Sequence, residues 1–434
     1  MTRYFEKKYE TMGRGELEEL QLKRLRSVVK WAYERVPFYR KKLDGAGVKP
    51  EDIKSLSDIE KIPFTTKDEL RENMPFGLVA VPLEETVELH ASSGTTGTPV
   101  TVVYTRRDME NWSSVVARCM VSAGLTEKDI FQNPTPYGTF TGGFGLHYGA
   151  QKVGALVIPS GGGQSERQIK LMKYYGTTFI AGVASYAAHL GEVALTMGID
   201  PAKDLKVRRG IFGAEFFSAG LRKKISEIWD MDVYDIYGLT EMCGPGVSVD
   251  CEHHDGLHIW EDHFYPEIID PKSGETLGPE EEGELVLTTL TKEGVPILRY
   301  RTRDLTYLYD SLSCDCGRTM RRHAPIKGRS DDMLIVSGTN IFPRQIEEVL
   351  MNVDDVGTNY QIILEKKGTL DKMTVRVEAK KRLPQETKER LADLLQRSIQ
   401  AVIVLRPKVE VLNPGEIPRE GIKAKRVIDL RPKD

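Results

Sequence analysis

Apolar residues near the start of the chain repeat with the period of a helix. Between Gly15 and Val36 they fall on one helical face, and Pro37 ends the pattern. This spacing predicts an amphipathic N-terminal helix.

Farther along, from Val100 to Leu290, short β-rich runs alternate with helical stretches such as Ala219 to Trp229. The runs read TVVYT, GALVIP, TTFIAG, VRRGIFGA, DVYDIYG and GELVLTTL. This alternation predicts an α/β region built around a buried sheet.

The pattern changes after Gly328 and then predicts a compact α+β domain with the order αββαβ. We expect a helix at 343–351, strands at 360–365 and 373–379, a helix near 384–402 and a strand around 409–412. The junction KGRSDDMLIVSG is polar and then abruptly apolar, which favours a short hinge over a long linker. We therefore expect two domains, residues 1–330 and residues 331–434.

Composition narrows the functional classes. The 434 residues are 40% hydrophobic and 29% charged, with a net charge of −3, as in a globular protein. Nucleic acid is not expected as a partner, because its binding needs clustered cations. No signal peptide or membrane span is predicted, so we expect a cytoplasmic protein. Five cysteines are too few for a disulfide scaffold and are expected to be reduced, some of them on a metal.

A loop rich in hydroxyl groups and glycine precedes the TVVYT run. Glycine allows backbone N–H groups to turn inward around an anion, and Ser and Thr hydroxyls add neutral donors. The loop is not a Walker motif, since no Gly-Lys-Ser/Thr follows. It is either a phosphate-binding loop or a plain surface turn, and it consists of Ser92, Ser93, Gly94, Thr95, Thr96 and Gly97.

Four more motifs follow the loop: Tyr237-Gly-Leu-Thr-Glu241, Tyr300-Arg-Thr-Arg-Asp304, Gly328-Arg-Ser-Asp-Asp332 and Gly421-Ile-Lys-Ala-Lys425. In this order the five motifs resemble those of the adenylate-forming acyl-CoA synthetases, and among them the phenylacetate-CoA ligases. The resemblance runs from about Tyr4 to the C-terminus and includes the stretch EDHFYPE at 261–267. Each motif alone is weak evidence for this family, but the five motifs in this order are specific for it.

The resemblance implies a fold and a reaction. The fold is α/β, with a large multi-lobed N-terminal region and a small mobile α+β lid domain at the C-terminus. The reaction joins a carboxylic acid to coenzyme A, using ATP with Mg²⁺ and releasing AMP and pyrophosphate. A homodimer is expected only because members of this family commonly form one.

The resemblance also implies residue roles. Lys423 would act in adenylation with Thr240 at the α-phosphate, Glu241 would hold Mg²⁺, and Asp331 would be the hinge. The nucleotide contacts would be Ser92, Ser93, Gly94, Thr95, Thr96, Gly97, Ala214, Glu215, Asp235, Ile236, Tyr237, Gly238, Thr240, Asp304 and Arg329. Two alternatives stay open: Lys425 competes with Lys423, and Asp304 can instead pair with Arg301 or Arg303.

A glycine-rich stretch, PYGTFTGGFGLHYG, carries aromatic residues suited to a flat acid such as phenylacetate. The predicted substrate pocket consists of Tyr137, Phe140, Phe144, Gly213 and Pro245. Ordinary core packing would explain each aromatic residue equally well. The loop departs from the family pattern at Thr98, where a lysine is usual, and Arg106 or Arg107 is a candidate replacement.

Cys251, His258, Cys314 and Cys316 match the Cys₃His shell of a structural zinc site. The spacing differs from that of a zinc knuckle, but some relatives of phenylacetate-CoA ligase carry the same four residues. His253 and His254 are competing ligands, and separate reduced thiols are the alternative.

Two other functions remain open. An adenylyltransferase would stop at an adenylylated product, as the related deazaflavin-adenylating synthetases do. A relative that only binds nucleotide would have lost turnover, for which Thr98 is the single argument.

Overall fold

The computed structural model describes residues 4–92, 98–336, 339–367, 370–418 and 425–431. The helices among them are α1 Lys7–Glu10, α2 Arg14–Arg35, α3 Pro37–Gly45, α4 Lys67–Glu72, α5 Arg106–Ser122, α6 Thr141–Val153, α7 Ser165–Tyr175, α8 Ala184–Thr196, α9 Pro201–Asp204, α10 Ala219–Trp229, α11 Pro343–Met351 and α12 Gln385–Ile403. None of these helices combines the length and apolar character needed to cross a bilayer.

The strands of the first 330 residues are β1 Thr86–Ala91, β2 Thr101–Thr105, β3 Ile130–Gln132, β4 Leu156–Ile158, β5 Phe179–Val183, β6 Arg209–Gly213, β7 Asp232–Leu239, β8 Gly244–Val249, β9 Leu257–Ile259, β10 Phe264–Ile269, β11 Gly283–Thr289, β12 Tyr300–Thr306, β13 Arg322–His323 and β14 Gly328–Arg329. Those that follow are β15 Leu334–Val336, β16 Thr339–Ile341, β17 Val356–Lys367, β18 Leu370–Ala379, β19 Lys408–Leu412 and β20 Val427–Asp429.

The predicted N-terminal helix is α2, and it ends one residue before the predicted boundary. Val36 adopts φ −113° and ψ 106° because the ring of Pro37 disfavours a helical residue before it. Pro37 then starts α3, where its missing N–H is not needed. Leu17, Leu25 and Val29 bury the apolar face of α2.

The central sheet has eight strands in the order β13-β9-β8-β7-β6-β5-β3-β4. Strands β4, β3, β5, β6 and β7 are parallel, and helices α6, α7, α8 and α10 connect or flank them. Beyond β7 the pairing becomes antiparallel. Strand β7 is therefore where the pairing in this sheet changes from parallel to antiparallel.

A second sheet, β10-β11-β12-β14, is antiparallel throughout, and β1 and β2 form a separate hairpin. The predicted runs correspond to β2, β4, β5, β6, β7 and β11. The hydroxyl-rich loop lies between β1 and β2.

The N-terminal segment is attached to the body by buried ion pairs. Arg318 Nε donates to Glu10 Oε2 at 2.9 Å, and both side chains are inaccessible to solvent. Arg118 forms two hydrogen bonds with Asp262 at 2.8 and 3.0 Å and another with Glu6 at 2.6 Å. The chain before α2 is thus an integral part of the folded body.

The C-terminal part contains the predicted αββαβ order as α11, β17, β18, α12 and β19. A hairpin of β15 and β16 and a strand β20, parallel to β17, were not predicted. Each has three residues, too few to display a period.

The C-terminal part packs on α10 of the body. Ile346 and Leu350 of α11 belong to the same buried apolar cluster as Leu221 and Ile225 of α10. A methyl group on Gly220 would lie 2.7 Å from Met351 Cβ, so the close contact of the two helices requires glycine there.

Candidate active site

A cavity of about 630 Å³ opens at the carboxyl ends of β6 and β7, between the body and the C-terminal part. This volume is within the usual range for ligand sites, and ligands bind at this edge of α/β sheets. The predicted nucleotide residues that line it are Ala214, Glu215, Asp235, Ile236, Tyr237, Gly238, Asp304 and Arg329, together with the hinge residue Asp331. Phe342, Arg344, Tyr360 and Arg426 line it from the C-terminal part.

Asp304 is a buried acidic residue that lines this cavity. Tyr237 donates its hydroxyl hydrogen to Asp304 Oδ2 at 2.6 Å, and Arg329 Nη1 donates to Oδ1 at 3.3 Å. Burial raises the pKa of Asp304 to about 6, although Arg329 and Tyr237 oppose the rise. The carboxylate is therefore held at two points and desolvated.

The arginines proposed as alternative partners of Asp304 are engaged elsewhere. Arg301 pairs with Glu284 at 2.6 Å. Arg303 pairs with Asp331 at 3.0 Å and with Asp68 at 3.5 Å. Arg329 is the cation that contacts Asp304.

The ends of β6 and β7 pack closely against each other beside the cavity. A methyl group on Gly213 would lie 2.1 Å from the Ile236 carbonyl oxygen, so no side chain fits there. Ala214 follows with φ 65°, a left-handed conformation that turns the chain sharply. Desolvation and the nearby Asp250 carboxylate raise the pKa of Asp235 to about 7.

Glu241 lies in the turn between β7 and β8 and is 4% exposed. Tyr300 donates to Glu241 Oε1 at 3.1 Å, and Lys67 Nζ is 3.5 Å from the same oxygen. Thr240 is buried beside it. Thr240 and Glu241 do not line the cavity at the ends of β6 and β7.

Lys67 was missed in the sequence. It starts α4, where Thr66 and Glu69 form a capping box, and this local pattern indicates only a helix start. Its approach to Glu241 depends on a contact between segments far apart in the chain.

The structure describes only Ser92 of the predicted phosphate loop. Ser92 Oγ accepts a hydrogen bond from Val100 N at 2.9 Å. Ser93, Gly94, Thr95, Thr96 and Gly97 lie outside the described residues, as does Lys423.

Arg106 and Arg107 were suggested as replacements for the lysine that is usual at the position of Thr98, and this stays a prediction. Arg106 and Arg107 start α5, beyond the five-residue strand β2, which is about 17 Å long. Arg107 pairs with Glu293 at 3.2 Å.

The aromatic residues of the predicted substrate pocket form a cluster beside β1. The ring centroids of Tyr137 and Phe144 are 5.2 Å apart, and that of Phe144 is 5.6 Å from His90. Asn133 Nδ2 donates to the Tyr137 hydroxyl at 2.9 Å. Phe140 is 37% exposed.

Gly213 and Pro245 are the other predicted pocket residues. Gly213 ends β6, and Pro245 lies in β8. The Pro245 carbonyl accepts a hydrogen bond from Trp112 Nε1 at 3.0 Å. None of the five predicted pocket residues lines the cavity at the ends of β6 and β7. The aromatic cluster instead adjoins His90, two residues before the phosphate loop begins.

Asp331 is held by two arginines at the predicted hinge. Arg329 Nε donates to Asp331 Oδ1 at 2.9 Å and Arg303 Nη1 to Oδ2 at 3.0 Å. The C-terminal part is also docked by hydrogen bonds across the interface. Glu347 accepts from Ser218 N at 3.0 Å, and Lys224 Nζ donates to the Val353 carbonyl at 3.2 Å.

Away from the cavity, Cys251, His258, Cys314 and Cys316 come together. One potential ligand atom from each lies within 4.8 Å of all the others. The Cys251 and Cys314 sulfurs are 3.7 Å apart, and Cys316 Sγ is 3.3 Å from His258 Nε2. His254 instead contacts Asp250 at 3.0 Å.

Comparison with known proteins identifies the family. The profile of the AMP-binding enzymes matches residues 26–290, and that of the AMP-binding enzyme C-terminal domain matches residues 338–431. The phenylacetate-coenzyme A ligase of Aromatoleum evansii is 48% identical over 433 residues, covering 98% of this chain and 97% of that protein. The chain belongs to the phenylacetate-coenzyme A ligase family. The Escherichia coli K12 member is 46% identical, with 97% of each chain covered.

Among solved structures, 2-hydroxyisobutyryl-CoA ligase in its postadenylation state matches with a TM-score of 0.92 and 30% identity, covering 99% of this chain and 92% of that one. Its thioesterification state, with CoA, matches with a TM-score of 0.74 and 31% identity, covering 99% and 93%. Family membership confirms the predicted adenylate-forming fold and the predicted class of enzyme, an AMP-forming acid–CoA ligase. ATP and CoA are accordingly its co-substrates.

Proposed function

We propose that this phenylacetate-coenzyme A ligase family member activates an aryl acid, with phenylacetate as the first choice, and transfers the acyl group to coenzyme A. The observation that carries the proposal is the cavity at the ends of β6 and β7, with Asp304 buried between Tyr237 and Arg329. A carboxylate with free acceptor positions suits the two ribose hydroxyls of a nucleotide. Relatives at 46–48% identity carry the name phenylacetate-coenzyme A ligase.

In the first half-reaction an oxygen of the acid attacks the α-phosphorus of ATP. The bond from that phosphorus to the bridging oxygen of the β-phosphate breaks, and pyrophosphate leaves. We assign the donors for the developing charge to Thr240 and to the ammonium of Lys423, because fixed donors and cations stabilise such transition states. The phosphate loop 92–97 would hold the remaining oxygens.

Glu241 has the chemistry of a magnesium ligand. It is a buried carboxylate with one oxygen in contact with Tyr300 and Lys67, and Mg²⁺ is commonly held by one or two carboxylates plus phosphates and water. When bound, Mg²⁺ would reduce the negative charge of the phosphates. Glu241 would orient the complex, and Lys67 would add a cation on the same side.

In the second half-reaction the thiol sulfur of coenzyme A attacks the acyl carbonyl carbon, and AMP leaves. We propose that residues 331–434 rotate about Asp331 between the two steps and carry Lys423 away from the site. The higher TM-score with the postadenylation state than with the thioesterification state, 0.92 against 0.74, supports such a rearrangement.

The acid pocket is assigned to the aromatic cluster around Tyr137 and Phe144. Their perpendicular rings, at an interplanar angle of 87°, present both an edge and a face, which favours a flat aromatic ligand. Phe140, Gly213 and Pro245 would complete the border.

We also propose a structural zinc ion at Cys251, His258, Cys314 and Cys316. Zinc with sulfur bonds of about 2.3 Å in a tetrahedron needs sulfur atoms roughly 3.8 Å apart, close to the 3.7 Å between Cys251 and Cys314. Four protein ligands leave no open position, so the ion would be structural. Tyr4 donates to the Cys316 carbonyl at 2.8 Å, so the metal would also fix the N-terminal segment.

A homodimer is a further proposal, supported by the exposed apolar residues Val87 and Leu89 on β1. Light scattering coupled to size-exclusion chromatography measures it directly.

The function is tested by following ATP consumption with aryl, aliphatic and deazaflavin acceptors, with and without coenzyme A. The masses of the products are determined by mass spectrometry. Formation of aryl-CoA with release of AMP is expected. A stable adenylylated product would indicate the adenylyltransferase, and no turnover on any acceptor would indicate a protein that only binds nucleotide.

A further inference from the structure

A buried lysine lies beneath the turn that carries Glu241. Lys292, in the connection between β11 and β12, is 7% exposed. Its Nζ donates to the Met242 carbonyl at 2.7 Å and to the Glu241 carbonyl at 3.2 Å. The ring of Tyr104 covers Nζ at 4.9 Å. A buried ammonium is costly unless it is paired or hydrogen-bonded, and these two carbonyls are its hydrogen-bond acceptors.

The backbone next to Lys292 is anchored by Asp108, a 4% exposed residue in the first turn of α5. Asp108 accepts hydrogen bonds from Glu293 N and Gly294 N, both at 2.8 Å. It also accepts from Thr105 N at the end of β2 at 3.1 Å. Lys292 is therefore fixed to the strand that leaves the phosphate loop.

The same β11–β12 hairpin also supports the Glu241 side chain, through Tyr300 at 3.1 Å. Lys292 holds the backbone of Glu241, and Tyr300 holds one oxygen of its carboxylate. With both ends fixed from one hairpin, the direction of the carboxylate is determined before any ligand binds. Such preorganisation preserves binding free energy that ordering the group would otherwise consume.

We propose that Lys292 is a positioning residue for adenylation, which aims the Glu241 carboxylate at the magnesium-bound phosphates by holding the carbonyls of Glu241 and Met242. The inference rests on the magnesium role proposed above for Glu241. It predicts that loss of the ammonium weakens the use of Mg²⁺ before it affects the nucleoside site or the thioester step.

The test is Lys292→Met, which keeps an unbranched chain and removes the charge and the donors. Pyrophosphate release is measured against Mg²⁺ concentration, with adenosine binding and thioester formation from supplied acyl-adenylate measured separately. The Mg²⁺ concentration for half-maximal adenylation should rise about 10- to 100-fold, the usual effect of losing a group that supports a metal ligand. Adenosine affinity and thioester formation should stay within about twofold of wild type.

Two further variants sharpen the result. Lys292→Arg restores a cation with several donors and should recover part of the Mg²⁺ dependence. Lys203→Met makes the same chemical change on α9, where the lysine side chain is 81% exposed, and should leave all three measurements unchanged.

An unchanged Mg²⁺ requirement in Lys292→Met, with a lower maximal rate and lower melting temperature only, would overturn the proposal in favour of a purely structural lysine. If Lys292→Met does not fold, Lys292→Leu, which also lacks the charge and the donors, takes its place, and an unchanged Mg²⁺ requirement there has the same meaning. Glu241→Gln distinguishes a failure of the magnesium assignment from a failure of the Lys292 proposal. If it leaves adenylation and its Mg²⁺ requirement intact, the magnesium assignment fails. If it abolishes adenylation while Lys292→Met needs no additional Mg²⁺, only the Lys292 proposal fails.

Discussion

Replacing Tyr237 by phenylalanine tests the ribose assignment of Asp304 most directly. The change removes the hydroxyl that donates to Asp304 Oδ2 at 2.6 Å and leaves the ring. Burial raises the pKa of Tyr237 well above its ordinary value, so the phenol keeps its proton and acts as a donor throughout the accessible pH range. A hydrogen bond to a charged group contributes about 1.5–3 kcal/mol, so adenosine affinity should fall about 10- to 160-fold.

The pH dependence gives a second signature. Burial raises the pKa of Asp304 to about 6, and the Tyr237 hydrogen bond opposes that rise. Ribose hydroxyls need the ionised carboxylate as acceptor, so wild-type affinity should be flat above pH 7 and fall as the pH drops through about 6. In Tyr237→Phe the pKa of Asp304 rises further, and the fall should begin at a higher pH.

Adenosine is the ligand of choice for calorimetry, because the phosphate of AMP itself titrates near pH 6. Tyr33→Phe is the matched control, since Tyr33 donates to Asp44 at 2.8 Å in an exposed pair. That variant should bind adenosine like wild type. If Tyr237→Phe also kept wild-type affinity and pH profile, Asp304 would not be the ribose acceptor.

Three other changes separate the remaining assignments. Lys423→Ala should abolish adenylation and spare thioester formation from supplied acyl-adenylate, as read by pyrophosphate and acyl-CoA release; loss of both would contradict a role limited to adenylation. Asp331→Pro removes a backbone N–H and fixes φ, so it should impair one half-reaction selectively, and wild-type rates in both half-reactions would exclude Asp331 as the hinge. Cys316→Ser should reduce bound zinc and the melting temperature, measured by metal analysis and calorimetry, whereas a metal-free wild type would refute the zinc site.

Much of the fold followed from periodicity, because the longer elements bury one face each. The bounds of α10 and α11 were predicted to the residue, as 219–229 and 343–351. The three-residue strands β15, β16 and β20 were missed, since three residues display no period. The six-residue strands β8 and β10 were also missed, because glycine and proline interrupt their sequences, GPGVSV and FYPEII. Their pairing is determined by tertiary contacts.

The candidate site was predictable only where residues form a motif. Tyr237 and Asp304 were found in separate motifs, but their hydrogen bond depends on how β7 and β12 approach each other. Lys67 and Lys292 were missed for the same reason. Each is an isolated lysine in its local sequence and reaches Glu241 through tertiary structure.

The buried pair of Glu10 and Arg318 bears on how the protein should be shortened or tagged. Trimming the chain to the start of α2 at Arg14 would delete Glu10, the carboxylate that pairs with the 1% exposed guanidinium of Arg318. Removing one member of a buried ion pair costs about 3–5 kcal/mol, a large part of the stability of a typical domain. Expression designs that keep residues 4–13 should therefore yield folded enzyme, whereas those that begin at the first long helix should aggregate.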